Sequence, residues 1–342
     1  ALAVATADGP VRGVADVLVG LAEVAVERGD LLTARTRLDE ALALGEELGL
    51  PRYAGRSRAV AAQLAEAEGD LTRALDLVRE AQQVYLGDFS PDVRPLHAVA
   101  ARLLVRLGDL DAAERWVHDH GLTAHDPLSY LHELEHLTLA EVLLARSRAA
   151  GTAAAAGDDV TDLLQRLVDV NARSVAAYLN AQIARGADAV MIFDTWGGLL
   201  TTAAYRRFSL APMRAILAAL APAPDGRAVP TIVFTKGGGQ WLDEVADCGA
   251  SAVGLDWTVD IARARAGVGA RVALQGNLDP VVLLTDPDTV AREARAIVRA
   301  AGPAPGHVFN LGHGIVPATP PENVAALVAA VHDESAAIRA RA

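Results

Sequence analysis

The 342-residue sequence contains a single cysteine, Cys248. One cysteine cannot form an internal disulfide or a cysteine-based metal site, so we expect a reducing, cytoplasmic location. The sequence also lacks an apolar stretch, free of Arg, Asp and Glu, that is long enough to cross a membrane. No basic segment followed by an apolar core opens the chain, so we expect no secretory signal. The start at Ala1, in sequence that reads as structured, is compatible with a trimmed or partial chain.

Positive charge is scarce, because 31 Lys and Arg residues face 43 acidic residues and the net charge is −12. Residues 1–160 carry −11 of this charge and residues 161–342 carry −1, which suggests two units of different origin. An acidic first half repels a phosphate backbone and no basic stripe follows, so nucleic-acid binding is not expected. With 52% hydrophobic and 22% charged residues, the composition is that of a globular protein.

A motif of glycine, aspartate and leucine recurs three times in the first half, at spacings of 40 and 39 residues. Apolar residues flank each copy at the i, i+3, i+4 spacing of amphipathic helices. The glycine is suited to end one helix and the aspartate to cap the next, which predicts helix–turn–helix repeats of an α-solenoid. The motifs are Gly29-Asp30-Leu31, Gly69-Asp70-Leu71 and Gly108-Asp109-Leu110, and the predicted helices are Val17 to Val26, Ala34 to Leu44, Val60 to Ala67, Ala74 to Val84, Val99 to Leu107 and Ala112 to Val117.

A fourth repeat is predicted from Leu131 to Arg146, and it begins with an H-E-x-x-H pattern formed by His132 and His136. On a helix this pattern places two imidazoles on one face, as in zinc proteases. A third ligand is missing, because the next histidine is His307 and Glu141 is too close in sequence to swing round. We therefore favour an exposed, charged helix face over a zinc site, and we predict no metal ligands.

Residues of about 10–150 resemble the tetratricopeptide-like region of the large ATP-dependent LuxR-type transcriptional activators, through these turns and the run from Leu134 to Arg146. Those regulators also carry a P-loop ATPase and a DNA-binding helix-turn-helix, and no G-x-x-x-x-G-K-[ST] motif occurs in this chain. The resemblance therefore implies only a protein-contact region, with a protein partner for the repeats. We assign residues 1–148 to this region, 149–160 to a linker and 161–342 to a second domain.

After about residue 160, short apolar runs rich in Val, Ile and Phe alternate with helical patterns. This alternation is typical of βα units in a parallel sheet or barrel, and we expect the strands to neighbour one another in sequence order. The predicted strands are Ala189–Phe193, Thr231–Phe234, Ala252–Leu255, Val272–Leu274 and Val308–Leu311, and the predicted helices are Leu163–Ala184, Tyr205–Leu220, Trp241–Cys248, Ile261–Ala266, Thr289–Ala301 and Asn323–Arg341.

Glycines and polar side chains cluster directly after these five strands, together with three of the four Trp residues and the only lysine, Lys236. Glycine lets a backbone approach a ligand closely, and the loops after the strands form the active-site face of a (β/α)₈ barrel. Turn glycines and helix caps explain any single motif equally well, but five in succession favour a binding site. The segments are Phe193 to Gly198, Phe234 to Trp241, Gly254 to Thr258, Leu274 to Pro280 and Phe309 to Gly314.

These segments, with Tyr178 to Gln182 and the closing Pro320 to Asn323, resemble the uroporphyrinogen decarboxylase family over residues of about 163–332. The resemblance implies five of the eight βα units of a (β/α)₈ barrel. It also implies a carboxy-lyase of haem biosynthesis, which removes the acetate carboxyls of uroporphyrinogen III to give coproporphyrinogen III. Such enzymes use neither metal nor organic cofactor and are usually homodimers, so we expect a tetrapyrrole substrate, no cofactor and a homodimer.

Two substrate-binding positions follow from this resemblance. Thr195 occupies the place of the family's Ser or Thr hydroxyl, which contacts a substrate carboxylate, and His313 matches a histidine of the family's cleft. A hydroxyl donor and a titratable imidazole suit carboxylate recognition near neutral pH. A histidine satisfied within a barrel rim is the alternative for His313.

Catalytic residues are not assigned, because the family's N-terminal Arg loop, its pyrrole-binding Asp and a Tyr have no counterpart in residues 1–160. We therefore expect the isolated chain to be inactive. Two other interpretations stay open. The protein is a repeat-based binding module whose barrel portion is vestigial, or the sequence joins parts of two genes.

Overall fold

The computed structural model describes residues 13–48, 51–84, 94–151 and 153–341. The chain divides into two compact units, Ala1–Val170 and Asn171–Ala342. No helix among the described residues is long and apolar enough to cross a membrane.

In the described part of the first unit, regular structure is helical and consecutive helices pack against each other. This confirms the expected series of helix pairs. The observed helices start earlier than the predicted ones, and several begin with a leucine directly after the turn, as at Leu31, Leu71 and Leu110. They are α1 (Gly13–Glu27), α2 (Leu31–Leu48), α3 (Pro51–Ala67), α4 (Leu71–Val84), α5 (Leu96–Leu107), α6 (Leu110–Asp119) and α7 (Glu133–Ala150), and α8 (Ala153–Ala184) continues into the second unit.

The three glycine–aspartate turns end and begin helices as predicted. At the turn between α5 and α6, Gly108 has a left-handed φ of 83°, and the backbone N–H of Asp109 donates to the Leu104 carbonyl at 3.0 Å. The Asp109 carboxylate then accepts the N–H of Ala112 at 3.1 Å and caps α6. The other two turns repeat this arrangement, so local chemistry determines each helix boundary.

Small apolar side chains fill the spaces between the repeat helices. Ala15, Val19 and Ala22 of α1 are completely buried against Ala41 of α2 and Val60 of α3. Alanine lets helix axes approach closely, which is how a chain with only 4% aromatic residues still forms a packed solenoid core.

The H-E-x-x-H run departs from its expected place on an exposed helix face. Tyr130–His132 forms a short 3₁₀ turn, so α7 begins only at Glu133 and His132 precedes it. His136 is buried rather than exposed, and its Nδ1 donates to the His132 carbonyl at 2.9 Å. The expectation of an exposed face is therefore wrong for His136, because α7 turns this side chain toward the repeat interior.

Five parallel strands form one sheet in the described part of the second unit, in the order β1-β2-β3-β4-β5. The predicted parallel pairing and sequential order are confirmed. Strand order and register align the carboxyl ends at one edge, with Asp194 opposite Thr235 and Phe234 opposite Gly254. The strands are β1 (Val190–Asp194), β2 (Thr231–Thr235), β3 (Ala252–Gly254), β4 (Ala273–Gln275) and β5 (His307–Val308).

Helices follow the strands and cover the sheet. Val233, Val253 and Leu274 are buried against side chains of the following helices, including Ile261 and Val268. The chain between strands forms α9 (Thr202–Tyr205), α10 (Ala211–Ala218), α11 (Leu242–Ala246), α12 (Ile261–Val268), α13 (Pro287–Ala301) and, after β5, α14 (Pro321–Arg339).

The predicted domain boundaries stay a prediction. Within the predicted linker the chain turns at Gly151, which has a φ of 66°, and is helical again from Ala153. The division between the compact units falls within α8, after Val170.

Candidate functional site

The loops after β1 and β2 are joined through their backbones. The N–H of Lys236 donates to the Asp194 carbonyl at 3.0 Å, and the Lys236 carbonyl accepts the N–H of Gly198 at 3.1 Å. A Cβ atom on Gly198 would lie 2.2 Å from the Lys236 carbonyl oxygen, so only glycine fits there. This close approach explains why glycines follow β1.

Asp256 joins the loop after β2 to the turn after β3. Its carboxylate is 1% exposed and accepts the N–H of Gly237, together with the N–H and hydroxyl of Thr258. These donors replace the water that a buried carboxylate loses. Because Gly237 follows Lys236 and Thr258 follows Trp257, this one side chain holds those two residues near each other.

The loop after β4 is joined to the same turn. The buried Asn277 side chain donates to the Asp256 carbonyl at 2.8 Å and to the Val259 carbonyl at 2.6 Å. The chain after β5 then packs on this turn, since a Cβ atom on Gly312 would lie 2.3 Å from the backbone nitrogen of Trp257. His313 is thereby held beside Trp257.

Five side chains form what we call the strand-end cluster: Phe193, Phe234, Lys236, Trp257 and His313. The ring centroids of Phe193 and Phe234 are 6.0 Å apart, and that of His313 lies 6.4 Å from Phe234 and 6.1 Å from Trp257. The Lys236 ammonium lies 5.5 Å from the centroid of the Trp257 ring. These contacts link the rings through the buried Phe234, and they leave Phe193 and Trp257 exposed beside a cation and an imidazole.

Neither basic group of the cluster is neutralised within the described ranges. The Lys236 ammonium forms no salt bridge or hydrogen bond there, and neither do the ring nitrogens of His313. Asp194 and Asp256, the acids at the strand ends, accept hydrogen bonds from nearby N–H and hydroxyl groups. The cluster therefore presents unpaired donors, which suit an anionic ligand.

Thr195 directly follows β1 and is half-buried, and its hydroxyl forms no hydrogen bond to any residue that the structure describes. Its neighbour Asp194 accepts the N–H of Gly197 at 2.7 Å and the Ser209 hydroxyl, which shapes the turn around it. Thr195 and His313 thus both lie at the carboxyl ends of the strands, with no direct contact between them in the described part of the chain.

The hydroxyl of Thr235, at the end of β2, is unavailable to a ligand, unlike that of Thr195. It contacts the Tyr205 hydroxyl at 3.0 Å in the interior, where Tyr205 stacks on Trp241 with ring centroids 3.9 Å apart. Burial raises the pKa of the Tyr205 phenol, which keeps it neutral. Thr235, Tyr205 and Trp241 therefore pack in the interior, next to the carboxyl end of β2.

Arginines of the second unit pair away from the strand-end cluster. Arg206 binds Glu244 through two contacts of 2.8 Å, which raises the pKa of the guanidinium and lowers that of the carboxyl. Arg265 donates to backbone carbonyls near β5, among them that of Ala304 at 2.8 Å. Arg271 binds Asp247 at 2.6 Å. Lys236 is therefore the cation that the strand ends present.

Sequence reasoning predicted Thr195 and His313 as binding residues in the strand-end segments, but it did not identify the linking role of Asp256 or the contact of Lys236 with Trp257. A signal was present for the second of these, because the only lysine and three of the four tryptophans lie in these segments. Within the described ranges, no group of three or more His, Cys, Asp or Glu side chains could hold a metal ion.

Comparison with known families identifies both parts of the chain. The model of the uroporphyrinogen decarboxylase family matches residues 137–334, and the model of the MalT-like tetratricopeptide region matches residues 1–189. The two resemblances noted in the sequence are thereby confirmed.

Curated relatives match the second part. The uroporphyrinogen decarboxylases of Burkholderia pseudomallei (strain 668) and Paraburkholderia phytofirmans are 61% and 60% identical over 181 residues, which is 53% of this chain and 50% of theirs. The chain thus spans about half the length of the curated relatives that it matches. Among solved structures, a methyltransferase from Methanosarcina mazei is 22% identical, with a TM-score of 0.45 over 58% of this chain and 64% of its own.

Proposed function

Because the chain belongs to the uroporphyrinogen decarboxylase family, we propose that residues 161–342 are a portion of a (β/α)₈-type barrel that binds tetrapyrrole carboxylates. The observation that carries the proposal is the strand-end cluster, where Lys236 and His313 lie unpaired on an aromatic surface. A tetrapyrrole with acidic side chains combines flat apolar rings with anionic groups. Both features match this surface.

Thr195 and His313 are the proposed substrate-binding residues. The Thr195 hydroxyl donates one hydrogen bond to a carboxylate oxygen, and the imidazolium form of His313 adds a charged donor. Phe193 and Trp196 lie on either side of Thr195 and are 68% and 71% exposed, so they offer apolar surface to a pyrrole ring. A hydroxyl close in the chain to two exposed aromatic residues suits a carboxylate attached to a pyrrole ring.

The reaction of the complete site is proposed to be decarboxylation of the acetate side chains. Loss of carbon dioxide leaves an electron pair at the carbon next to the pyrrole, and a proton must then replace the carboxyl group. Catalysis needs the developing charge stabilised and the proton delivered. The guanidinium groups of Arg206, Arg265 and Arg271 are engaged elsewhere, so Thr195 and His313 are the groups proposed to position the carboxylate side of the substrate.

Titration with coproporphyrin tests the binding proposal, with porphyrin fluorescence as the readout. We expect saturable binding, weakened about tenfold by His313→Ala, which removes a charged donor, and less by Thr195→Val. His332→Ala, which removes an exposed imidazole from α14, is the matched control and should leave the isotherm unchanged. Equal isotherms for all four proteins would show that Thr195 and His313 do not form the site.

Turnover of uroporphyrinogen III tests the activity proposal. We expect no coproporphyrinogen III from the isolated chain, since each missing electrostatic contact to the transition state lowers the rate by about 10²–10³. Co-expression with the N-terminal half of a curated relative should restore turnover, because the two pieces would bury each other's sheet edges. Robust turnover by the isolated chain would contradict the proposal.

A role of the repeats in protein binding is the second candidate, supported by the match of residues 1–189 to the MalT-like tetratricopeptide region. The same titration separates the two candidates. If the wild-type chain binds no coproporphyrin, the barrel portion has no tetrapyrrole site and the repeat region is left to carry the function.

A further inference from the structure

Within the described ranges Lys236 has no acidic partner, whereas several arginines of the second unit have one. It is the only lysine among 31 basic side chains, and it follows β2 at the edge where the strands end. Arg206, Arg271 and Arg299 each pair with a carboxylate. Within the described ranges the Lys236 ammonium instead lies over the Trp257 ring, 5.5 Å from its centroid.

The surroundings hold this ammonium in place. Asp256 accepts the N–H of Gly237 on one side and two donors of Thr258 on the other, so the segments carrying Lys236 and Trp257 cannot separate without losing buried hydrogen bonds. A cation over an indole face is attracted by the negative potential of the ring.

His313 completes the arrangement from a third strand. Its ring is perpendicular to the Trp257 indole, at an interplanar angle of 90°. The indole thus has a primary ammonium over it and an imidazole beside it, and it is 36% exposed. Lysine offers three donors that rotate freely, so it binds a carboxylate as a point charge without a fixed orientation.

We propose that Lys236 is a carboxylate-binding residue, which holds one carboxylate of an aromatic polycarboxylate while the attached ring lies against Trp257. This inference rests on the proposed function, because it assigns Lys236 to the tetrapyrrole site of Thr195 and His313. It adds a primary ammonium with three donors to the hydroxyl of Thr195 and the imidazole of His313.

The single lysine makes a direct test practical in the full chain. Protein labelled with ¹³C at the lysine Cε gives one side-chain resonance, which reports on Lys236 alone. The probes are coproporphyrin, benzenehexacarboxylate as a compact aromatic polycarboxylate, and inorganic phosphate as a non-aromatic anion. Fluorescence titrations with Lys236→Met, Lys236→Arg and Arg227→Met run alongside. Arg227→Met is the matched control, because Arg227 pairs with Asp188 and Asp225 before β2, away from the strand ends.

We expect both aromatic probes to shift the lysine resonance saturably and phosphate to shift it little. Lys236→Met should weaken coproporphyrin binding about tenfold, Lys236→Arg should retain most of it, and Arg227→Met should leave it unchanged. Binding of coproporphyrin without any shift of the lysine resonance would overturn the assignment of Lys236 and leave the proposed function standing. A shift with benzenehexacarboxylate but no binding of coproporphyrin would retain the Lys236 site and overturn the tetrapyrrole function. Absence of binding by both probes, or an equal shift with phosphate, would overturn the Lys236 assignment.

Discussion

Both units of the molecule have glycine and aspartate at their turns, but the aspartates form local contacts in one unit and contacts between strands in the other. In the repeats, Asp109 caps the helix that begins beside it, three residues from its donor Ala112. In the sheet unit, Asp256 accepts from Gly237, which lies 19 residues earlier and follows a different strand. A local contact shapes one turn, whereas a contact between strands assembles a site.

The repeat helices and the strand-end cluster also differ in whether their charged side chains are paired. Arg102 pairs with Glu141 at 2.9 Å, and Arg146 pairs with Asp111 at 2.8 Å, so repeat helices exchange charges across their surfaces. Exposed pairs of this kind contribute little to stability. At the strand ends, Lys236 and His313 stay unpaired within the described ranges. The repeat helices thus pair their charges with one another, whereas the two basic groups at the strand ends are available to the ligand proposed above.

The largest effect is expected when the two aspartates are compared directly. Asp256→Ala removes a buried acceptor and leaves the N–H groups of Gly237 and Thr258 unsatisfied, so the free energy of unfolding should fall by about 3 kcal/mol. Asp109→Ala removes an exposed cap and should lower it by about 1 kcal/mol. Urea unfolding measures both, followed by tryptophan fluorescence for the sheet unit and far-UV circular dichroism for the helices.

Asp256→Ala should also abolish coproporphyrin binding, because Lys236 and Trp257 are no longer held near each other. Equal losses of stability for the two variants would show that the contact between strands adds nothing beyond a local cap.

A smaller effect is expected for the two kinds of glycine. Gly198→Ala places a methyl group against the Lys236 carbonyl, and relief requires the backbone to move, so stability should fall by about 2 kcal/mol. Gly69 has a φ of 87° and open space around its Cα, so Gly69→Ala carries only the cost of a left-handed backbone, about 1 kcal/mol.

The two glycine variants should differ more clearly in binding. Gly198→Ala displaces the loop that carries Lys236 and should weaken coproporphyrin binding, whereas Gly69→Ala should leave it intact. The titration used for the strand-end residues gives the readout, and unimpaired binding by Gly198→Ala would contradict the proposed close approach of the two loops.

The smallest effect concerns pH and the β5 residue His307. Burial lowers the pKa of its imidazole, and its Nε2–H donates to the Gly276 carbonyl at 2.9 Å. The unfolded chain therefore binds a proton more readily than the folded one. The contribution of His307 to the free energy of unfolding is fully present above the ordinary histidine pKa of about 6.5. This contribution is lost as the pH falls through that value toward the lowered pKa of the folded state. His307→Gln should reduce this slope.

Unfolding free energies measured between pH 7.5 and about 5.5 test that expectation. The control is His118→Gln, because the His118 side chain in the repeat unit is 92% exposed. This variant should retain the wild-type slope of unfolding free energy against pH. A wild-type slope in His307→Gln would show that His307 does not contribute to the pH dependence.

Helix and strand positions could be predicted closely because short-range patterns determine them. The predicted strand Thr231–Phe234 is observed as Thr231–Thr235. The predicted helix Tyr205–Leu220 is instead divided by a wider π turn at Arg206–Leu210. Pro212 has no N–H for the carbonyl of the preceding turn, which accounts for the interruption.

The last strand shows where periodicity alone was insufficient. Val308–Leu311 was the predicted strand, but regular pairing covers only His307–Val308, and Leu311 forms an isolated bridge with Leu278. Irregular backbone pairing continues beyond the strand, since the N–H of Leu278 donates to the Asn310 carbonyl at 3.2 Å and the N–H of Gly312 donates to the Leu278 carbonyl at 2.7 Å. The role of Thr195 and His313 in substrate binding stays a prediction.

The amino-acid sequence by itself determined the two parts of the chain, the helix boundaries at the Gly-Asp turns and the strands with their order. The turns and strands depend on residues close together in the chain, and the strand order follows from the alternation of strands and helices along it. Only the tertiary structure decided that Asp256 links two loops, that His136 is buried and that Lys236 lies over Trp257. Those contacts join residues from different elements, and their geometry exists only once the parallel strands bring their carboxyl ends to one edge.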